Sequence, residues 1–283
     1  MNYNAAFVDE LLGNFHASFL KNEHKWCDFA RVNPEGDAYR KWVYQKLYTL
    51  RYFPAYYLEY CVLAEKLKAR LGQYDECLQV ASFGCGICPD YYALRDNLGE
   101  IEFEYTGYDS CRWSMRKLVP KDNSDNLSFC HLNIGALDSV DLDDVDVFIF
   151  PKSIGDIARS GGLERLARLI ARTEKKRVFF LNSFISSGRN EKSIDLSCFD
   201  GVHEALIKSG FGTEDDRSKT SYEGGAFDVG LVRVSSDFNY PERLMINCER
   251  EGSSLLCEGC NVIKRPVMRN RFMEYQLLEY TRP

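Results

Sequence analysis

Residues Leu78 to Gly86 have the sequence LQVASFGCG, and this short stretch decides the expected fold. Leu78–Phe83 is an apolar run with the length of one buried strand. A glycine turn follows it, and an amphipathic segment, Asp90–Asn97, comes next. The order of strand, glycine turn and helix brings free backbone N–H groups close to a ligand, because glycine has no Cβ and a helix begins with unpaired N–H groups.

A second strand pattern, Ile101–Tyr108, ends at Asp109. An acid that closes the second strand of such a unit accepts hydrogen bonds from a ribose. A dinucleotide fingerprint would also need a third small residue three positions after Gly86, and Pro89 stands there instead. The pattern therefore predicts a nucleoside-containing ligand across the ends of two strands, and it disfavours a pyrophosphate.

The run Val80–Gly86, VASFGCG, resembles the first motif of class I S-adenosylmethionine-dependent methyltransferases, whose common form is V-L-D-x-G-C-G-x-G. Three residues match the motif directly, Gly84, Cys85 and Gly86. Two positions depart from it. Ser82 replaces the usual acid, which helps to hold the amino group of the cofactor, and Cys88 replaces the third glycine.

The resemblance implies that S-adenosylmethionine is the cofactor. It implies that Asp109 binds the adenosine ribose and that Asn133, after the third strand pattern, lies near the adenine. The implied cofactor-binding set is Ser82, Gly84, Cys85, Gly86, Asp109, Ser110, Asn133 and Pro151.

Strand and helix patterns alternate downstream, which predicts a mostly parallel sheet covered on both faces. The fold class is therefore α/β, a seven-stranded, mostly parallel, Rossmann-like methyltransferase sheet with an N-terminal helical cap and a C-terminal β-rich extension. The later strands are predicted at Leu127–Leu132, Asp144–Phe150, Arg177–Phe184 and, as the final antiparallel strand, Phe227–Val234.

Three parts are expected along the chain. Residues 1–72 form the helical cap, with helices at Ala5–Phe19, Ala38–Leu50 and Pro54–Leu71. Residues 73–236 form the methyltransferase domain. Residues 237–283 form the extension, where patterns such as Phe272–Tyr280 are expected to cover a sheet edge or to make a homodimer contact.

Catalytic candidates follow the fourth strand pattern, because residues past the carboxyl end of a strand face the crevice of an open α/β sheet. The sequence there is Pro151-Lys152-Ser153-Ile154-Gly155-Asp156, and its polar candidates are Lys152, Ser153 and Asp156. Asn182-Ser183-Phe184, at the end of the fifth strand pattern, is expected to form a second polar wall. No residue type in either segment fixes the identity of a catalytic base.

Cys248, Cys257 and Cys260 are weak candidates for a metal site. A Cys-x-x-Cys pair supplies half of a zinc site, and no second pair follows it. The interpretation that we prefer is a metal-free extension.

The composition excludes several classes of protein. No apolar run approaches the ~20 residues that cross a bilayer, and the N-terminus lacks the basic and apolar regions of a secretion signal. These features predict a cytoplasmic protein, whose 11 cysteines are thiols. The net charge of −6 gives no general attraction to the phosphates of a nucleic acid.

Three functions remain open at this point. The first is a methyltransferase that acts on a small molecule of metabolite or natural-product type. The second is a ribosomal RNA methyltransferase, because FGCGICP, FIFPKSIGDI and NSFISSGR resemble segments of the aminoglycoside-resistance 16S ribosomal RNA methyltransferases. The third is a non-catalytic interaction protein, in which Ser82 and Cys88 mark a decayed cofactor site. The negative charge and the aromatic cap favour the first.

Overall fold

The computed structural model describes most of the chain. The described residues are 1–21, 36–121, 125–132, 140–185, 191–220, 238–246, 248, 252, 257, 266–268 and 273–283. The statements below refer to these residues.

The described chain contains six strands and six α-helices. The helices are α1 Ala5–Leu20, α2 Trp42–Leu71, α3 Pro89–Asn97, α4 Ile154–Arg159, α5 Leu163–Ile170 and α6 Glu191–Lys208. The strands are β1 Leu78–Phe83, β2 Phe103–Asp109, β3 Leu127–His131, β4 Val147–Pro151, β5 Arg177–Ile185 and β6 Met273–Thr281. Short 3-10 turns occur at Gly36–Arg40, Ser114–Leu118 and Glu242–Leu244.

The strands form one sheet in the order β3-β2-β1-β4-β5-β6, in which only β6 is antiparallel to its neighbour. The prediction of a mostly parallel α/β sheet is confirmed. The prediction of seven strands is not, because six strands are present among the described residues. The predicted strand Phe227–Val234 lies outside them.

The antiparallel strand comes from the C-terminal segment. Met273–Thr281 pairs with β5 along its whole length, from Met273 opposite Ile185 to Thr281 opposite Arg177. The segment that we predicted to cover a sheet edge therefore covers the edge of β5. A single antiparallel bridge between Gly212 and Thr281 lies on the far side of β6.

The two helices predicted at Ala38–Leu50 and Pro54–Leu71 are one helix, α2, and the predicted break is wrong. Proline lacks an N–H and usually ends a helix. Here the helix continues through Pro54, and the Arg51 carbonyl accepts a hydrogen bond from the Val267 N–H at 2.7 Å. A segment distant in the sequence thus satisfies a carbonyl in the turn before the proline.

The core has two apolar layers, one on each face of the sheet. Successive side chains of a strand point to opposite faces, so Ile149 packs in the layer with α1, α2 and α3, whereas Phe148 packs in the layer with α5 and α6. Helices α1, α2 and α3 therefore pack on one face of the sheet. None of the described helices is both long and apolar enough to cross a membrane.

A substitution at Phe180 tests the packing of the apolar layer that contains α5 and α6. The Phe180 ring is fully buried and lies 5.2 Å from Phe148 and 5.3 Å from Phe199, measured between ring centroids. Phe180→Ala should lower the free energy of unfolding by about 3–5 kcal/mol in a denaturant titration, because it leaves a cavity. Ile207→Ala, at an exposed position of α6, should change it by about 0.5 kcal/mol or less. Equal changes in the free energy of unfolding for the two substitutions would contradict the buried position of Phe180 in this apolar layer.

Candidate functional site

The turn after β1 requires both of its glycines. Gly84 has φ +80° and Gly86 has φ +58°, a region that side chains with a Cβ rarely adopt. A Cβ on Gly84 would also lie 2.6 Å from the Cβ of Ser153, on the loop after β4. The turn ends with Cys88 in a left-handed conformation, and Pro89 then begins α3. The local sequence thus fixes a tight turn between two strand ends.

The Asp109 carboxylate joins this turn to the segment after β2. Its Oδ2 accepts hydrogen bonds from the Gly86 N–H at 2.9 Å and from the Trp113 indole N–H at 3.1 Å. Its Oδ1 accepts one from the Cys111 N–H at 2.7 Å. Burial raises the pKa of Asp109, and these donors oppose the shift. The predicted ribose-binding acid therefore points toward the glycine turn.

Trp113 and Arg116 pack over the same turn. A Cβ on Gly86 would lie 3.4 Å from the Trp113 ring. The Arg116 guanidinium donates to the Gly86 carbonyl at 2.6 and 2.9 Å and lies 3.3 Å from the Cys85 Sγ. The backbone N–H and the backbone carbonyl of Gly86 thus both have partners. The N–H donates to the Asp109 carboxylate, and the carbonyl accepts from the Arg116 guanidinium.

Ser153 holds the loop after β4 against the loop after β1. Its hydroxyl donates to the Phe83 carbonyl, and its side chain is buried. The Ser153 hydroxyl is therefore committed to a contact inside the protein. This catalytic candidate has a structural partner at the point where the strand order reverses.

Asp156, the third catalytic candidate, lies on the surface in an ion pair with Arg159. Burial, and after it the charges of Tyr44 and Asp156, raise the pKa of Tyr39 well above its usual value. The Tyr39 ring lies 5.9 Å from the Trp113 ring, measured between ring centroids.

Ser82, the residue in the place of the usual acid, lies beside a buried carboxylate from α3. Asp90 is fully buried, and its Oδ2 accepts a hydrogen bond from the Tyr105 hydroxyl at 2.7 Å. The Ser82 Oγ and the Asp90 Oδ1 have no hydrogen bond of good geometry, although they are close enough to affect each other. Burial raises the pKa of Asp90 to about 6. An acid is thus present under the glycine turn, but it comes from the helix.

Lys152, the first catalytic candidate, forms a buried ion pair with Glu59 of α2. The Lys152 Nζ also donates to the Ser183 Oγ at 3.1 Å. The Tyr60 hydroxyl and that same Oγ share a hydrogen bond of 2.9 Å. The structure therefore brings the ends of β4 and β5 together with the cap helix.

The other predicted residues are placed as follows. Ser110 is exposed, and its carbonyl lies 3.0 Å from the His131 Nε2. Pro151 is half-buried opposite Ser183 in the sheet. Asn133 and Cys260 lie outside the described residues, and neither Cys248 nor Cys257 takes part in a disulfide among the residues described. Within the described ranges, no group of three or more His, Cys, Asp or Glu side chains is suited to hold a metal ion.

Four residues that complete the site were not predicted from the sequence: Glu59, Asp90, Trp113 and Arg116. Glu59 carried one usable signal, because a lone acid stands there among the apolar residues of a helix. Asp90 follows the helix-starting proline, a position where acids commonly cap a helix. Trp113 and Arg116 carried no such signal, since their contacts depend on the packing of two loops.

No protein-family model and no curated protein matches the chain. The plantazolicin methyltransferase BpumL is 12% identical, covers 98% of each chain and superposes with a TM-score of 0.44. Phosphoethanolamine N-methyltransferase 2 from Haemonchus contortus is 12% identical, with 78% of this chain and 52% of that chain covered and a TM-score of 0.44.

The cyclase SpnF is 16% identical, with 79% of this chain and 80% of that chain covered and a TM-score of 0.41. By their names, two of the three proteins are methyltransferases and the third is a cyclase. All three TM-scores lie below 0.5, and we therefore infer neither the fold nor the activity of this chain from these superpositions.

The raised pKa of Asp90 makes stability depend on pH. Between its ordinary value of about 3.9 and its folded value of about 6, the folded protein keeps a proton that the unfolded chain releases. The stability from this group is present below about pH 4 and is lost as the pH rises to about 6. Asp90→Asn should therefore remove a pH-dependent loss on the order of 3 kcal/mol, measured by denaturant titration.

Tyr105→Phe provides the matched comparison. It removes the hydroxyl that donates to Asp90, a bond that lowers the Asp90 pKa. The loss of stability should then extend to a higher pH than in the wild type. An Asp90→Asn protein with an unchanged pH dependence would contradict the buried position of this carboxyl.

Proposed function

We propose that the protein is an S-adenosylmethionine-dependent methyltransferase that acts on a small molecule. One observation carries the proposal. The loop after β1 turns through two glycines in positive-φ conformations, and the Gly86 N–H is joined to the acid that ends the adjacent strand β2. Loops at the carboxyl ends of β1 and its neighbours form the ligand-binding crevice of open α/β sheets.

The position of β1 supports this choice of site. Strand β1 has β2 on one side and β4 on the other, and the chain leaves β1 and β4 toward opposite sides of the sheet. Ligands bind at such a reversal of strand order. Asp109, Ser153 and Lys152 all lie at this edge.

The residues present fit an adenosyl ligand. A carboxylate has about four acceptor positions, and the protein donors at Asp109 use three of them. The acceptor position that remains, on Oδ1, suits a ribose hydroxyl. A further buried carboxylate oxygen without a partner, the Asp90 Oδ1, suits the ammonium group of a methionine moiety.

The cofactor, when bound, supplies an electrophilic methyl group on a sulfonium. The contribution of the protein is then to position an acceptor in line with that methyl group and to exclude water. Asp109 and the glycine turn would hold the nucleoside end. Lys152 and the end of β5 would line the acceptor side, which α2 would cover.

A small molecule suits this site better than RNA. The formal net charge of −6 provides no long-range attraction to phosphates. Tyr48, Tyr52 and Tyr56 of α2 are half-buried beside the crevice and offer aromatic faces to an organic substrate.

Calorimetry with S-adenosylmethionine and S-adenosylhomocysteine tests the proposal. Both ligands should bind the wild-type protein. Asp109→Ala should weaken binding by about 1–3 kcal/mol, the scale of a lost hydrogen bond to a charged group. Glu104→Ala, at an exposed position of the same strand, should leave the affinity unchanged.

A thermal melt must accompany each titration, because Asp109 also holds the glycine turn. A folded Asp109→Ala protein with wild-type affinity would remove Asp109 from the binding site. Folded wild-type protein that binds neither ligand would leave the non-catalytic interpretation in place of the enzyme.

A further inference from the structure

A buried polar cluster lies where α2 meets the ends of β4 and β5. The Lys152 ammonium contacts the Glu59 Oε2, the Ser183 Oγ and, at 4.8 Å, the centre of the Tyr56 ring. The side chains of Glu59 and Lys152 are 1% and 8% exposed. A buried ion pair of this kind contributes little net stability, so its presence calls for another explanation.

One oxygen of the cluster has no partner. The Glu59 Oε1 is buried and accepts no hydrogen bond, whereas the Oε2 of the same carboxylate binds Lys152. A buried acceptor without a donor costs about 1–3 kcal/mol. The free oxygen therefore suits a hydrogen-bond donor supplied by a ligand.

The backbone at Lys152 is strained. Lys152 has φ +54°, a left-handed conformation that is unfavourable for a residue with a Cβ. Two contacts hold it there, since its N–H donates to the Phe150 carbonyl at 2.9 Å and to the Ser183 carbonyl at 3.1 Å. Strain of this kind concentrates at functional sites, where it aims a side chain. Here it directs the ammonium to Glu59.

The tyrosine side chains of α2 offer an aromatic surface on which a flat ligand can pack. Tyrosines occur at every fourth position of α2, and we call Tyr44, Tyr48, Tyr52, Tyr56 and Tyr60 the tyrosine stripe. The rings of Tyr52 and Tyr56 are stacked, with centroids 5.5 Å apart and planes at 16°. Both residues are half-buried, and the stripe ends at the cluster. Aromatic faces pair with other flat rings by offset stacking.

The charges in the cluster favour a hydroxyl over an amine. A substrate ammonium would meet the Lys152 cation a short distance from Glu59, and two cations repel each other. A neutral hydroxyl donates to the Glu59 Oε1 without that cost. Once it loses its proton, its oxygen gains the Lys152 ammonium as a partner.

We propose that the Glu59 carboxylate is the proton acceptor for the phenolic hydroxyl of an aromatic substrate that packs against Tyr52 and Tyr56, with Lys152 beside the resulting oxygen anion. This assignment rests on the proposed function. It names the substrate class as a phenol and the reaction as O-methylation.

The Glu59 Oε1 takes the hydroxyl proton, and a lone pair of the phenolic oxygen forms the new O–C bond. The C–S bond of the sulfonium breaks, and its electron pair stays on sulfur as a thioether. Glu59 afterwards releases the proton to solvent, so the products are an aryl methyl ether, S-adenosylhomocysteine and one proton.

The environment of Glu59 agrees with this role. Burial raises its pKa to about 7, and the charge of Lys152 opposes the shift. Its other ionisable neighbours are Tyr56 and Tyr60, on its own helix, while Asp195 of α6 acts on Lys152. A general base works best when its pKa lies near the working pH.

Binding of naphthol and of methoxynaphthalene tests the assignment, because the second probe has a methyl group in place of the donor hydrogen of the first. Fluorescence titration of the wild-type protein should give an affinity for naphthol about tenfold higher, or more, than for methoxynaphthalene. Comparable affinities for the two probes would overturn the assignment.

Three variants test whether the preference for naphthol depends on Glu59. Glu59→Gln should abolish the preference for naphthol, because the amide oxygen stays on Lys152 and the NH₂ group, a donor, replaces Oε1. Should that protein fail to fold, Glu59→Gln combined with Lys152→Met removes both charges of the pair and should give the same result. Glu65→Gln, at an exposed acid of the same helix, should keep the wild-type preference. A folded Glu59 variant that still prefers naphthol to methoxynaphthalene would also overturn the assignment.

The rate of methyl transfer separates proton acceptance from mere binding. Wild-type protein with S-adenosylmethionine should methylate naphthol, and Glu59→Gln should be slower by about 10²–10⁴-fold at an unchanged cofactor affinity. Wild-type protein that binds the cofactor but leaves naphthol unmethylated would refute the phenol assignment alone. Wild-type protein that binds no cofactor would refute the proposed function, while the preference between the probes would still test the cluster.

Discussion

The Asp109 carboxylate is the contact on which the candidate site depends. Three donors from two loops, the Gly86 N–H, the Cys111 N–H and the Trp113 indole, converge on this one side chain. The carboxylate thereby sets the distance between the glycine turn and the end of β2. Because the carboxylate is half-buried, an unpaired donor facing it would be costly.

Around this contact the protein places its buried charges at one edge of the sheet. Asp90 lies under the glycine turn, and Glu59 with Lys152 lies at the ends of β4 and β5. Groups that are costly to bury and that have perturbed pKa values are common at functional sites. The cap helix α2 contributes both Glu59 and the tyrosine stripe, so the cap completes the site and does more than shield the sheet.

Local patterns were sufficient to predict the sheet. Leu78–Phe83 was predicted with its observed bounds, because a short apolar run before a glycine turn has few alternatives. Contacts between distant segments were not predictable in this way. The hydrogen bond from the Val267 N–H to the Arg51 carbonyl and the pairing of β6 with β5 both join segments far apart in the chain. Glu59 likewise meets Lys152 only after α2 has packed across the sheet, so its role could not be inferred from its neighbours in sequence.

The central claim is that an adenosyl ligand binds at the Asp109 contact. The most direct measurement is a two-dimensional ¹⁵N NMR titration with S-adenosylhomocysteine, which follows the indole N–H signals of the three tryptophans. Trp113→Phe identifies the Trp113 signal. We predict that this signal shifts with the ligand, because its N–H donates to the carboxylate that receives the ribose, and that the Trp42 signal at the outer end of α2 does not. A Trp113 signal unmoved at saturating ligand would contradict the account.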